Sequence, residues 1–229
     1  MLQIFRSRKI SGKMGIPITL ITILISTVVY LLVSRLTADI IRDNLNIVIR
    51  IKINSLQQSI KNETKKNLEI ASLFSYHKNV INAYKIAYSG NIHDENSPQS
   101  QTAREMLRET FRSYMKGWTE NTGKKFELHF HLPPARSLVR LWRKKQTRKN
   151  GKWIDISDDL SAFRRSILDI SSGKTKQVAG LEIGSGGFVV RGITGVYDEN
   201  GKLIGSVESL SDFNSILQKT KDSNNEEFN

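Results

Sequence analysis

Three arginines and two histidines are the side chains whose types and spacing could do chemistry. Arginine stays charged at any relevant pH, and its planar fork takes a carboxylate through two parallel hydrogen bonds. Arg140 and Arg191 stand in the runs VRLW and VVRGI, where their neighbours are apolar. Both are therefore expected inside the fold, where a small anion could meet them. Arg164 follows Phe163 and could point inward or to solvent. His129 and His131, at i and i+2, share one face of a strand and could donate to the same ligand. Trp142 and Tyr197 could wall the pocket. The chemistry these seven residues offer is binding of a small organic anion. The competing reading for each arginine is a structural ion pair with Glu127, Glu182 or Glu208.

His129-x-His131 is also half a metal site, which Glu127 or Glu208 would have to complete. The chain has 4 histidines, and an isolated His-x-His is thin support, so no metal is expected. Gly184–Gly187 lies between strands rather than ahead of a helix, which argues for a turn and against a phosphate cradle. No Ser/His/Asp signature stands out. There is no cysteine, so thiolate catalysis, disulfides and covalent haem are excluded. The expectation is a protein that is not an enzyme and carries no cofactor.

These residues need a scaffold. Residues 126–143, FELHFHLPPARSLVRLWR, alternate apolar and polar side chains on both sides of a Pro-Pro turn, which predicts a β-hairpin. Phe126, Leu128, Phe130 and Leu132 make one face of its first strand apolar, and the histidines take the other. Ahead of it, Thr102 and Glu105 suggest a capping box, and Leu107, Phe111, Tyr114 and Trp118 recur at helical spacing. Lys144–Lys152 reads as a basic, solvated turn. Asp158–Ser161 predicts a helix start, with Ile167 and Ile170 on its apolar face and Ser172-Gly173 at its end. Strands are expected over 178–183, 188–197 and 203–210, with an Asn200-Gly201 hairpin turn between the last two. A short helix over 212–219 and a polar tail over 220–229 close the chain.

The N-terminal third is different. Residues 14–34 carry no charged side chain, and at roughly 1.5 Å each they cover about the 30 Å hydrocarbon core. Arg6, Arg8, Lys9 and Lys13 precede them without an acid, which places residues 1–13 on the cytoplasmic side. A cleaved signal peptide is the alternative, but the run is long for one and offers no small-x-small site. The net charge of +13 raises nucleic acid as a partner; a domain outside the membrane sets it aside. From 35 to about 88 there is no proline or glycine, and Ile41, Leu45, Ile49, Ile53, Leu56 and Ile60 form a stripe. This predicts one long helix, pairing with a second copy of the chain.

Long helix, helix, two strands, helix and three strands make an α+β architecture, with one five-stranded antiparallel sheet over 89–219. The layout resembles the extracellular, PAS-like Cache sensor domains of bacterial methyl-accepting chemoreceptors and sensor kinases, in the third double-Cache branch. Leu128–His131, Arg136-Ser137, Leu141-Trp142, Asp158–Arg164, Gly180–Gly184, Gly187–Ile193 and Gly205–Glu208 carry the resemblance. Leu132–Ala135 departs from the usual Thr-Pro-Asp-Gly-like turn, and Gly195 stands where a proline is common. The resemblance implies a single-pass inner-membrane protein with a periplasmic module, chemotaxis or related signal transduction, and an acetate-like ligand. Such receptors continue into a second membrane helix, a HAMP linker and an output module. The sequence stops at Asn229 without them, as a truncation or a stand-alone sensor would. The other reading left open is a membrane-anchored interaction protein that senses nothing and acts through its long helix and basic loop.

Overall fold

The computed structural model describes the backbone of residues 3–184 and 187–226, and side chains within 14–218 and at 220. The basic side chains of 1–13, the Ser185-Gly186 pair expected in a turn and the side chains of the tail beyond Thr220 lie outside that description. The chain divides into two compact units, Met1–Asn54 and Ser55–Asn229.

The described residues of the first unit are helical and belong to α1 (Gln3–Ser75). It contains a helix stretch long and apolar enough to cross a membrane. The hydroxyls of Thr19, Thr22 and Thr27 donate to the carbonyls of Gly15, Ile18 and Ile23 at 2.8–2.9 Å. These three hydroxyls are thereby satisfied within the helix, as hydrocarbon surroundings require.

The second unit holds the end of α1, α2 (Lys78–Tyr88), α3 (Pro98–Thr122), α4 (Arg165–Ser171), α5 (Phe213–Glu226) and seven strands. These are β1 (Glu127–Leu132), β2 (Arg136–Arg140), β3 (Thr147–Lys149), β4 (Lys152–Ile154), β5 (Gln177–Gly184), β6 (Gly187–Tyr197) and β7 (Leu203–Asp212). The main sheet is five-stranded in the order β2-β1-β7-β6-β5, and β3 and β4 form a separate hairpin. Every pairing is antiparallel. The architecture is thus the expected α+β fold with a long N-terminal helix and one five-stranded sheet.

The alternation in β1 divides the fold into two sides. Leu128, Phe130 and Leu132 join Phe74 of α1, Tyr84 of α2 and Phe111 of α3 in one core. Phe111 stacks on Phe130 with centroids 6.0 Å apart. On the opposite face, Ile193 of β6 meets Leu160 and the α4 residues Ile167 and Ile170. Two glycines permit close approach on the helical side. A Cβ at Gly205 would lie 2.2 Å from Tyr84 Cε1, and one at Gly192 would lie 2.2 Å from the backbone nitrogen of Leu68. The end of α1 therefore rests directly on β6. Asn67 fixes it there, donating to the Val190 carbonyl at 3.0 Å and accepting from the Ser209 hydroxyl at 3.0 Å.

Several expectations are corrected. The helix expected to run to about 88 breaks at Tyr76-His77, because His77 caps α2 by accepting from the Asn79 N–H at 3.2 Å. Helix α3 begins at Pro98 with Ser97 as its cap, ahead of Thr102. The basic run over 144–152 is not all loop, since β3 and β4 pair around Asn150-Gly151 with Gly151 at φ 78°. No helix starts at Asp158. There Arg136 bridges to Asp159, and the Asp159 carboxylate accepts from the Ser161 N–H at 2.9 Å, so the backbone stays irregular until α4.

Candidate functional site

Register brings the polar residues together. His129 lies opposite Arg140 on β2 and opposite Glu208 on β7. His131 lies opposite Ser137 and Ser206, and Ile193 lies opposite Glu208. Residues directly opposite in an antiparallel pair share a face. Arg191, two residues before Ile193, therefore joins the same face, and Arg164 reaches it from the segment before α4.

Glu208 is the hub of the cluster. It is fully buried. Its Oε1 accepts from Arg191 Nη1 at 2.7 Å, and Arg164 Nη2 donates to both carboxylate oxygens at 3.0 Å. Burial alone would raise this carboxyl; the charges of Arg164 and Arg191 outweigh it and hold the group well below the usual carboxylate range. Arg140 is paired separately. Its Nη1 and Nη2 donate to the two oxygens of Asp158 at 2.8 and 2.9 Å, and Nη1 also reaches the Gln146 carbonyl at 3.0 Å. Burial pushes both imidazoles down, His131 to about 4 and His129 well below its ordinary value. Both rings are neutral at pH 7.

The hydrogen-bond chain fixes the His129 tautomer. Gln146 Oε1 accepts from the Arg140 N–H at 2.6 Å and from the Ser137 hydroxyl at 3.3 Å. With its proton so directed, Ser137 Oγ accepts from His129 Nε2 at 2.8 Å. His129 Nδ1 is then unprotonated, and it accepts from His131 Nε2 at 3.0 Å.

A cleft of about 290 Å³ opens over this cluster, and His129, Arg140, Trp142, Arg164 and Arg191 line it. Phe163 and Phe188 add apolar wall. Trp142 lies beyond the end of β2 and meets the His129 ring edge-on at 5.9 Å. Two expected site residues stand elsewhere. His131 is wholly buried behind His129. Tyr197 sits at the far end of β6 opposite Leu203, against Gly195. A larger groove, about 530 Å³, lies between α1, α3 and β7, where Lys66 covers the Trp118 ring; none of the expected site residues lines it.

The arginines still have donors to spare. The Nε atoms of Arg164 and Arg191 are buried and donate to no acceptor among the described residues. Glu182 Oε2 lies 3.4 Å from Arg191 Nε and 3.9 Å from Arg164 Nε, outside hydrogen-bond geometry. That oxygen accepts instead from Ser166 Oγ at 3.0 Å. A buried donor without a partner costs about 1–3 kcal/mol. Asp158 had no visible role as the Arg140 partner, because its position suggested a helix start. Glu208 left one readable mark, a single acid within the apolar run of β7.

The model of a family described as the double sensory domain of two-component sensor kinases matches residues 52–223. No curated protein sequence matches the chain. Among solved structures, the ligand-binding domain of the Campylobacter jejuni chemoreceptor Tlp3, in complex with L-valine, aligns at 14% identity and a TM-score of 0.32. The alignment covers 74% of this chain and 66% of that one, so the chain spans just under two thirds of its length.

Proposed function

The chain belongs to the double-Cache family of sensory domains of two-component sensor kinases, and from that membership we propose that it binds a small organic anion outside the membrane and passes the event to α1. It is a sensor and not an enzyme. One observation carries the ligand class: the buried Nε atoms of Arg164 and Arg191 lack acceptors beside a cleft that both arginines line. A carboxylate supplies such acceptors in a planar pair. Trp142, Phe163 and Phe188 suit the ligand's apolar portion. Asp158 pairs with Arg140, and Glu208 together with Glu182 offsets Arg164 and Arg191 before any ligand arrives, so the cleft binds by donor geometry more than by net charge.

The relay reading rests on strand alternation. Arg191 and Glu208 face the cleft side, and the next residues, Gly192 and Ser209, meet Leu68 and Asn67 of α1. A shift of β6 or β7 on ligand binding moves the end of α1 with it. Such a shift requires the ligand to bind the two strand positions with different affinity. The apolar segment of α1 supports the reading of a single-pass inner-membrane anchor, with residues 1–13 on the cytoplasmic side and the sensor domain outside.

The test is a thermal-shift screen of the full chain in detergent against short organic acids and amino acids. At least one acid is expected to raise the melting temperature, and Arg191→Ala to lower its affinity at least tenfold. Retained affinity in both Arg140→Ala and Arg191→Ala rejects the site, and a blank screen across organic acids rejects the ligand class.

A further inference from the structure

Behind the cleft, three side chains converge on one point. His129 Nδ1 and His131 Nε2 are 3.0 Å apart. Glu208 Oε2 lies 3.5 Å from the first and 3.3 Å from the second. All three residues are buried, and their ligand-type atoms form one compact group. Two imidazoles and a carboxylate are a transition-metal donor set. With metal–ligand bonds of about 2.0–2.2 Å, tetrahedral ligands stand about 3.3–3.5 Å apart. The observed triangle is within a few tenths of an ångström of that.

We propose that His129, His131 and Glu208 bind a divalent first-row transition ion of the zinc class. The outward nitrogens are already braced, as ligating histidines require. His129 Nε2 meets Ser137 Oγ at 2.8 Å, and His131 Nδ1 meets Ser206 Oγ at 3.1 Å. The Ser137–Gln146 chain leaves the lone pair of His129 Nδ1 facing the triangle. Ser206 can accept as well as donate, so His131 can carry its proton on Nδ1 and turn a bare Nε2 inward. The hydrogen that now joins the two rings then gives way to the ion. Calcium and magnesium are excluded by ligand chemistry, since both take oxygen donors in higher number.

Charge balance says what accompanies the ion. Arg140, Arg164 and Arg191 are matched by Asp158, Glu182 and Glu208. A divalent ion leaves the cluster in positive excess, and three protein ligands leave a coordination position open. Both favour an anion as fourth ligand, so metal and anion strengthen one another reciprocally. The metal inference does not rest on the organic-anion reading.

The test uses the untagged full chain in detergent, stripped with a chelator. Titration with Zn²⁺ by calorimetry is expected to give one ion per chain at a Kd on the order of micromolar or tighter. Ser137→Ala, which removes only a brace, is expected to weaken binding about tenfold, and His129→Gln more. X-ray absorption on the wild-type zinc complex, which needs no variant to fold, is expected to show two imidazoles in the coordination shell. No binding by the stripped chain overturns the proposal. So does a shell without two imidazoles, or unchanged affinity in both variants. Repeating the organic-acid screen on the stripped chain separates this failure from that of the anion reading.

Discussion

At the scale of single residues, the second unit is held by arginines whose pairing no local pattern announces. Glu208 is fully buried between Arg164 and Arg191. Breaking a buried pair by removing one partner leaves an uncompensated charge and typically costs about 3–5 kcal/mol. Glu208→Gln is expected to lower unfolding free energy by about 3 kcal/mol in urea at pH 7; a loss under about 1 kcal/mol contradicts the hub role. A second arginine system joins α3 to the segment before α4. Arg104 is buried and donates to the Leu138 carbonyl at 2.7 Å and to Ser157 Oγ at 2.9 Å. Arg108 grips both Asp155 oxygens at 2.7 and 2.8 Å. Burial pushes the Asp155 carboxyl up, but the Arg108 hydrogen bonds and the charge of Arg104 outweigh it, and the net direction is down. A carboxyl depressed in the folded state contributes stability above its unfolded pKa, about 3.9. That contribution is lost as pH falls through the folded value. Asp155→Asn is therefore expected to be less stable than wild type at pH 7 and to lose less on acidification to pH 3. Parallel stability curves for the two proteins, measured by urea unfolding across that range, contradict the assignment.

Between elements, the contact of α1 with β6 depends on the absence of a side chain. A Cβ at Gly192 would stand 2.2 Å from Leu68 N and 2.5 Å from Leu68 Cα, and both are backbone atoms that cannot rotate away. Gly192→Ala is expected to cost about 1–3 kcal/mol, as overpacking does. Gly117→Ala is the matched control. It lies within α3 with nothing within 4 Å of the added carbon, and helix propensity predicts a gain of about 0.5–1 kcal/mol. Urea melts of the two variants decide the matter, and equal destabilisation by both rejects the Gly192 contact. This scale also shows what was readable. The hairpin of β1 and β2 was legible because β1 alternates strictly, with Leu128, Phe130 and Leu132 on one face and Glu127, His129 and His131 on the other, ahead of a Pro-Pro turn. The break at Tyr76-His77 was not, since the chain stops and restarts a helix there with an imidazole cap and neither glycine nor proline. The β3–β4 hairpin has three-residue strands without apolar alternation, so only its Asn-Gly turn showed. At the site, five of the seven expected residues line one cleft. The other two misled for separate reasons. His131 follows the strand phase correctly but lies beneath its neighbour, and Tyr197 is too far along β6. Which acid neutralises which arginine depends on register and on the path of 157–164, and neither is encoded locally.

For the whole molecule, the open question is what covers the apolar stripe of α1 beyond the membrane segment. Ile41, Leu45, Ile49 and Ile53 are each more than half exposed in the single chain. Their steps of four place them on one helix face. Isolated helices take little stability from propensity alone and depend on packing of such a face. A second copy of the chain supplies an identical stripe, and a parallel pairing brings equivalent positions together. A sensor that relays through α1 gains from such a seam, because a shift of one helix is then resisted by a defined neighbour. The sequence contains no cysteine, so single-cysteine variants report one position without background. Leu45→Cys is expected to form a disulfide-linked dimer on mild oxidation in native membranes. Asp43→Cys, about 200° around the helix from Leu45 at 100° per residue, is expected to form several-fold less. Equal cross-linking at the two positions reads as random collision and rejects the seam, as does its absence at Leu45, Ile41 and Ile49 alike.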